Sequence, residues 1–133
     1  MAAVYGEEAM KRKAAVFVIQ KHAATHLHYD LRLERDGVLK SWAVPKRPPL
    51  RRNIKRLAIQ TEDHALEYTR FEGVVSTDAS RTETVEIWDT GTYVLEWWGR
   101  DLIVVHLQGR RLTGRYSLVR LKGQKKNWLF LKC

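Results

Sequence analysis

From Ala14 onward apolar and polar residues alternate with a period close to two, the pattern of strands that turn one face to a core. Phe17 to Gln20, Leu27 to Glu34, Leu39 to Val44, Arg56 to Glu62, Val85 to Trp88, Thr92 to Trp97, Leu102 to Leu107, Gly114 to Leu121 and Trp128 to Lys132 all read as strands. Turn signals separate several of them: Asp36-Gly37, Asp89 to Gly91, Gln108-Gly109 and Lys122-Gly123. Many short strands joined by tight turns, with no long helical stretch, predict a mainly β fold. The expected architecture is a compact antiparallel β-barrel of about eight strands, closed so that no sheet edge is left open.

Met1 to Lys13 shows no clear periodicity and ends in Lys11, Arg12 and Lys13. It reads as an N-terminal arm or short helix, residues 1–13, ahead of one barrel domain over residues 14–133. Pro45 to Lys55 holds three prolines and five basic residues, so it predicts an exposed basic loop and not a central strand. Ser76 to Thr84 reads as a second, polar loop.

Composition narrows the class. A chain of 133 residues with 44% hydrophobic content is long enough to bury one core and too short for two. The 24 Lys and Arg against 15 Asp and Glu give a formal charge of +9, attractive to nucleic acid or anionic lipid. The longest apolar runs, such as Leu102 to Val105, fall short of a membrane span, and no signal-like stretch opens the chain. A cytoplasmic monomer is therefore the expectation. The single cysteine, Cys133, rules out an internal disulfide or a cysteine-rich metal site, so any metal must be held by nitrogen and oxygen.

Within the strand from His26 to Glu34, alternation separates two faces. Leu27, Tyr29, Leu31 and Leu33 make an apolar face, while His26, His28, Asp30, Arg32 and Glu34 share the other. His28 and Asp30, two apart, can reach one divalent ion, and imidazole with carboxylate suits Mn²⁺, Zn²⁺ or Fe²⁺. His22, read as part of the turn region before this strand, can fold back as a third ligand, and Arg32 can grip a phosphate oxygen. The same residues also fit the solvent-facing half of an ordinary amphipathic strand. In Glu62 to Tyr68, His64 and Tyr68 add groups for phosphate contact or proton transfer, although the cluster taken alone reads as a charged strand end. His106 reads as a packing or hydrogen-bonded residue, and His26 is ambiguous. Lys46, Arg47, Arg51, Arg52, Lys55 and Arg56 suit a phosphate backbone, with affinity but no sequence specificity. Most of Trp42, Trp88, Trp97, Trp98 and Trp128 read as core.

The segment FVIQKHAATHLHYDLRLERDGVLKSWAVPK closely resembles the 3′-phosphoesterase domain of bacterial DNA ligase D and its free-standing archaeal and bacterial relatives. The resemblance continues through KRLAIQTEDHALEY, FEG, WDTGTY and GRRLTGRYSLVRLKGQKKNWLFLK, nearly everything after Phe17. It implies a compact β-barrel that uses Mn²⁺, or a similar ion such as Co²⁺ or Zn²⁺, to process nucleic-acid 3′ ends. A 3′-terminal ribonucleoside is removed to leave a 3′-phosphate, which is then converted to a 3′-hydroxyl. The implied partners are DNA or RNA 3′ ends at primer-template junctions, with a DNA ligase or other end-joining proteins. Carried over by motif position, the resemblance implies metal ligation by His22, His28 and Asp30. It likewise implies catalytic roles for Arg32, His64 and Tyr68, with Gln20, Lys46, Arg56 and Glu62 lining the site. His26 stands where relatives vary.

Two departures qualify what is implied. Family members usually follow Phe-Glu-Gly with a proline- and glycine-rich loop of the form Pro-Glu-Gly-Glu-Tyr-Gly-Ala-Gly, whereas the equal-length stretch Ser76 to Glu83 has neither Pro nor Gly. The ligase-linked domains also carry an N-terminal arm with an Arg-Asp-Phe signature tied to the monoester step, and Met1 to Lys13 has no counterpart. The competing readings are a non-catalytic nucleic-acid-binding β-barrel and a cupin-type metal barrel. The second predicts an enclosed apolar cavity, against which the basic segment argues.

Overall fold

A computed structural model of the chain describes residues 14–76 and 82–133. The expected N-terminal arm, residues 1–13, lies outside the described residues. The strands are β1 (Ala15–Ala23), β2 (His28–Arg35), β3 (Val38–Val44), β4 (Lys55–His64), β5 (Gly73–Ser76), β6 (Thr82–Trp98), β7 (Leu102–Gly109), β8 (Thr113–Arg120) and β9 (Asn127–Lys132). A 3₁₀ turn, Leu66–Arg70, connects β4 to β5. All pairings are antiparallel and give one sheet in the order β1-β2-β3-β4-β9-β8-β7-β6-β5. β1 also pairs with β6, which closes an eight-stranded barrel and leaves β5 attached to the first residues of β6.

Alternation along each strand fills the interior. Phe17, Ile19, Leu31, Leu33, Trp42, Tyr116, Trp128 and Phe130 are buried together in one cluster. Burying side chains of this size stabilises by about 1.5–3 kcal/mol each before entropy is counted. Trp97 is the exception among the tryptophans, 59% exposed on the outside of the barrel.

The Asp89 to Gly91 turn expected from sequence does not form. β6 runs unbroken for 17 residues through it, so the two short strands predicted there are one. Gly91 sits opposite Phe17 on β1 and Gly109 on β7, with strands on both sides. A Cβ at Gly91 would lie 2.1 Å from the Gln108 carbonyl oxygen, so glycine serves close backbone approach here and not chain reversal. Asp89 is 3% exposed, and its carboxylate accepts the backbone N–H groups of Thr90, Arg110 and Leu112 at 2.8–2.9 Å. The acid therefore caps the β7–β8 connection. At Asp36-Gly37, by contrast, both residues take positive φ (52° and 82°) and the β2–β3 hairpin turns as expected.

The other corrections concern loops. β5 occupies Gly73–Ser76, at the start of the polar stretch read as loop. In the basic segment Pro48 and Pro49 are buried, and the Tyr116 hydroxyl donates to the Pro49 carbonyl at 2.8 Å. Its Lys46, Arg47, Arg51, Arg52 and Lys55 are exposed, so the loop is pinned at its prolines and open at its charges.

Candidate metal and phosphate site

Register assembles the site on the outside of the barrel. In the β1–β2 ladder His22 faces His28, Gln20 faces Asp30 and Val18 faces Arg32. Residues directly opposite share a face. Since Leu31 and Leu33 point inward, His22, Gln20, His28, Asp30 and Arg32 all point outward. His22 is thus a strand residue paired with His28, not part of a turn folding back.

His22, His28 and Asp30 bring one ligand atom each to within 4.8 Å of one another. Asp30 is 7% exposed and its Oδ2 is shared, 3.4 Å from His22 Nδ1 and 3.3 Å from His28 Nε2. The opposite ring nitrogens are engaged elsewhere. His28 Nδ1 lies 3.1 Å from the His26 carbonyl oxygen, which can only accept, so this nitrogen carries the proton and Nε2 is free to ligate. Two imidazoles and a carboxylate, with outer partners setting the ring orientations, fit a divalent transition ion such as Mn²⁺, Co²⁺ or Zn²⁺.

Beside this trio Arg32 is 4% exposed and tightly held. Its Nε donates to Gln20 Oε1 at 2.8 Å and its Nη1 to Ser41 Oγ at 2.8 Å, with His64 Nδ1 3.0 Å from the same Nη1. Gln20, fully buried, donates through Nε2 to the Tyr68 and Phe71 carbonyls at 2.8 and 3.1 Å, fastening the 3₁₀ turn over the strand pair. The guanidinium lies 4.8 Å from the centre of the Tyr68 ring, and His64 packs on that ring at 4.8 Å. Arg32 Nη2 is 3.7 Å from Asp30 Oδ2 and makes no hydrogen bond among the described residues, so this edge can meet an anion.

The His64 ring has two uses for one atom. Nδ1 accepts from Arg32 or donates to the Glu62 carbonyl at 3.1 Å, and it cannot do both. Protonation favours the second arrangement and leaves Nε2–H as a further cationic donor.

Charge is shared unevenly. The hydrogen bond that His28 donates to Asp30 raises the His28 pKa above its ordinary value, against the opposing effect of burial. Burial alone would raise Asp30. The hydrogen bond and charge of His28, with the charges of Arg32 and His22, together hold its carboxyl below the usual range. Burial lowers Arg32 from its ordinary value, which the charge of Asp30 opposes, yet a guanidinium stays protonated.

Of the residues expected at the site, His22, His28, Asp30, Arg32, Gln20, His64 and Tyr68 converge. Lys46 and Glu62 are exposed, and Arg56 donates through Nε to the Arg47 carbonyl at 2.8 Å. Among the described contacts none ties these three side chains to the cluster. Two participants carried no usable signal in sequence. Ser41 orients Arg32 from β3, and Glu83 on β6 places Oε1 2.6 Å from His22 Nε2. Glu83 comes near because Val85, two residues on, stands opposite His22 across the closing β1–β6 pairing. A contact between residues 61 apart has no local pattern to betray it.

The profile of the DNA Ligase D 3′-phosphoesterase domain matches residues 20–120, most of the chain and all of this cluster. The chain belongs to that family. It is 50% identical over 117 residues to the multifunctional non-homologous end joining protein LigD of Mycobacterium bovis, covering 85% of this chain and 15% of the relative. The LigD protein of Pseudomonas aeruginosa is 42% identical over 123 residues, 87% of this chain and 15% of the relative. The chain thus spans about 15% of the length of these LigD relatives. The matched residues include the whole cluster of imidazole, carboxylate and guanidinium groups. Among the described residues no helix is long and apolar enough to cross a membrane.

Proposed function

We propose that this chain is a divalent-metal-dependent 3′-end-processing phosphoesterase acting on DNA or RNA ends at primer-template junctions. The names of its relatives suggest non-homologous end joining as the setting, with a DNA ligase as the enzyme that uses the repaired end. The observation that carries the reading is the adjacency of His22, His28 and Asp30 to the Arg32–His64 pair, because one face then offers metal ligands and cationic phosphate donors together.

A bound divalent ion, Mn²⁺ foremost, would supply Lewis-acid polarisation and charge neutralisation at the phosphorus centre. The protein's own groups supply position. Arg32, held from two sides by Gln20 and Ser41, presents a fixed guanidinium edge to the phosphoryl oxygens, and pre-set donors of this kind need no reorganisation as charge develops. His64, swung onto the Glu62 carbonyl, offers a second donor or a proton to the leaving oxygen. Tyr68 covers one face of the Arg32 guanidinium and packs on the His64 ring. The exposed Lys46 and the half-buried Arg56 suit contacts with the nucleic-acid backbone. Removal of a 3′-terminal ribonucleoside is the first reaction, and conversion of the resulting 3′-phosphate to a hydroxyl is the second.

A 5′-labelled primer ending in one ribonucleotide, annealed to a longer template, tests this. With Mn²⁺ the purified protein shortens the primer to a 3′-phosphate and then a 3′-hydroxyl end, EDTA stops it, and His28→Ala or Asp30→Ala abolishes it. Unchanged processing by both variants would sink the site, and an inert wild type with Mn²⁺, Co²⁺ and Zn²⁺ would sink the activity.

A further inference from the structure

Behind the trio stands a carboxylate whose partner is the far side of one ligand. Glu83 is a diagonal neighbour of His22 across the β1–β6 ladder, since Val85 is the residue directly opposite. Its Oε1 lies 2.6 Å from His22 Nε2, a distance typical of charge-assisted hydrogen bonds. Both side chains are mostly covered, 22% and 19% exposed, so solvent competes weakly for the contact. The other ring nitrogen, Nδ1, faces the Asp30 carboxylate at 3.4 Å.

A neutral imidazole carries a single N–H. Ionised Glu83 can only accept, so the proton is drawn to Nε2 and the lone pair is left on Nδ1, pointing at Asp30 and the space shared with His28. His28 is oriented differently, by the neutral His26 carbonyl on its Nδ1. A charged carboxylate behind an imidazole orients the ring more firmly than a neutral carbonyl does. Glu83 is not placed as a ligand itself, because it meets the nitrogen turned away from Asp30.

We propose that Glu83 is a positioning residue for the metal centre: it fixes His22 in the tautomer that ligates through Nδ1 and so tightens binding of a divalent transition ion. This rests on the metal reading of His22, His28 and Asp30. It adds an outer carboxylate that tunes the affinity of this chain's site.

Two measurements on the whole chain separate the claims. The first needs no metal. With the ring in its neutral form, long-range ¹H–¹⁵N correlation shows His22 protonated at Nε2 in the wild type and divided between tautomers in Glu83→Gln. A wild-type ring protonated at Nδ1, or a spectrum unchanged by Glu83→Gln, overturns the role of Glu83. The second is calorimetric titration with Mn²⁺ and, in parallel, the visible absorption of the Co²⁺-loaded protein. Glu83→Gln and Glu83→Gly each weaken Mn²⁺ binding about tenfold or more and shift the cobalt bands. Wild type that binds neither ion overturns the metal reading itself, whatever Glu83 does. Wild type that binds, with both variants binding equally well and spectrally unchanged, overturns Glu83 alone. The tautomer readout guards against a merely structural effect, since lost stability does not move a proton between ring nitrogens.

Discussion

Gln20 holds Arg32 in place: the fully buried amide accepts the guanidinium Nε–H at 2.8 Å while its own N–H groups reach the Tyr68 and Phe71 carbonyls. One side chain on β1 therefore couples the cation on β2 to the 3₁₀ turn that carries Tyr68. Gln20→Leu keeps the volume and leaves a buried, charged donor unpaired. We expect a loss of about 2–3 kcal/mol in urea denaturation together with reduced 3′-end processing. A variant as stable as wild type would show that Arg32 finds another acceptor.

Among the described residues Asp30 is the one carboxylate in contact with both His22 and His28. Losing an outer-shell partner typically costs 10–100-fold in metal affinity, so loss of a ligand should cost at least about 100-fold. Asp30→Asn is expected to weaken Mn²⁺ binding by that much in calorimetry. Because the hydrogen bond to Asp30 is the largest cause of the raised His28 pKa, the same variant should titrate His28 at lower pH in metal-free protein, followed by NMR.

Asp89 tests the fold itself. Its buried carboxylate satisfies three backbone N–H groups around the β7–β8 connection. Asp89→Ala strands them, and we expect about 3 kcal/mol or more of destabilisation in chemical denaturation. Mn²⁺ affinity of the folded fraction should be unchanged.

Burial raises the Tyr93 pKa from 10.0 to about 12, and its hydroxyl donates to the Glu34 carbonyl. Folding thus favours the neutral phenol. Its contribution is fully present below pH 10, where the phenol is neutral in both states, and fades as pH rises from 10 toward 12. Thermal melts should show a falling alkaline limb across this window, shallower in Tyr93→Phe. Identical limbs in both proteins would show that other groups govern alkaline unfolding.

Much of the barrel was legible because it follows from local rules. Period-two alternation marks Phe17, Ile19, Leu31 and Leu33 as inward residues, and Asp36-Gly37 marks a hairpin. The Asp89-to-Gly91 signal misled, because aspartate and glycine are also used where strands pack close and where a buried acid caps a neighbouring turn. Whether such a pair reverses the chain depends on what stands on either side of it.

Of the site, alternation alone put His28, Asp30 and Arg32 on one face, and the long match to the phosphoesterase domain of ligase D attached His22, His64 and Tyr68 to them. The folded chain decided how they meet. Antiparallel register set His22 opposite His28, the 3₁₀ turn brought Tyr68 onto Arg32, and barrel closure carried Glu83 to His22. Alternation is a property of each strand and is written in its own residues. Register and closure come from packing strands against one another, so contacts such as His22–Glu83 exist only once the barrel has formed.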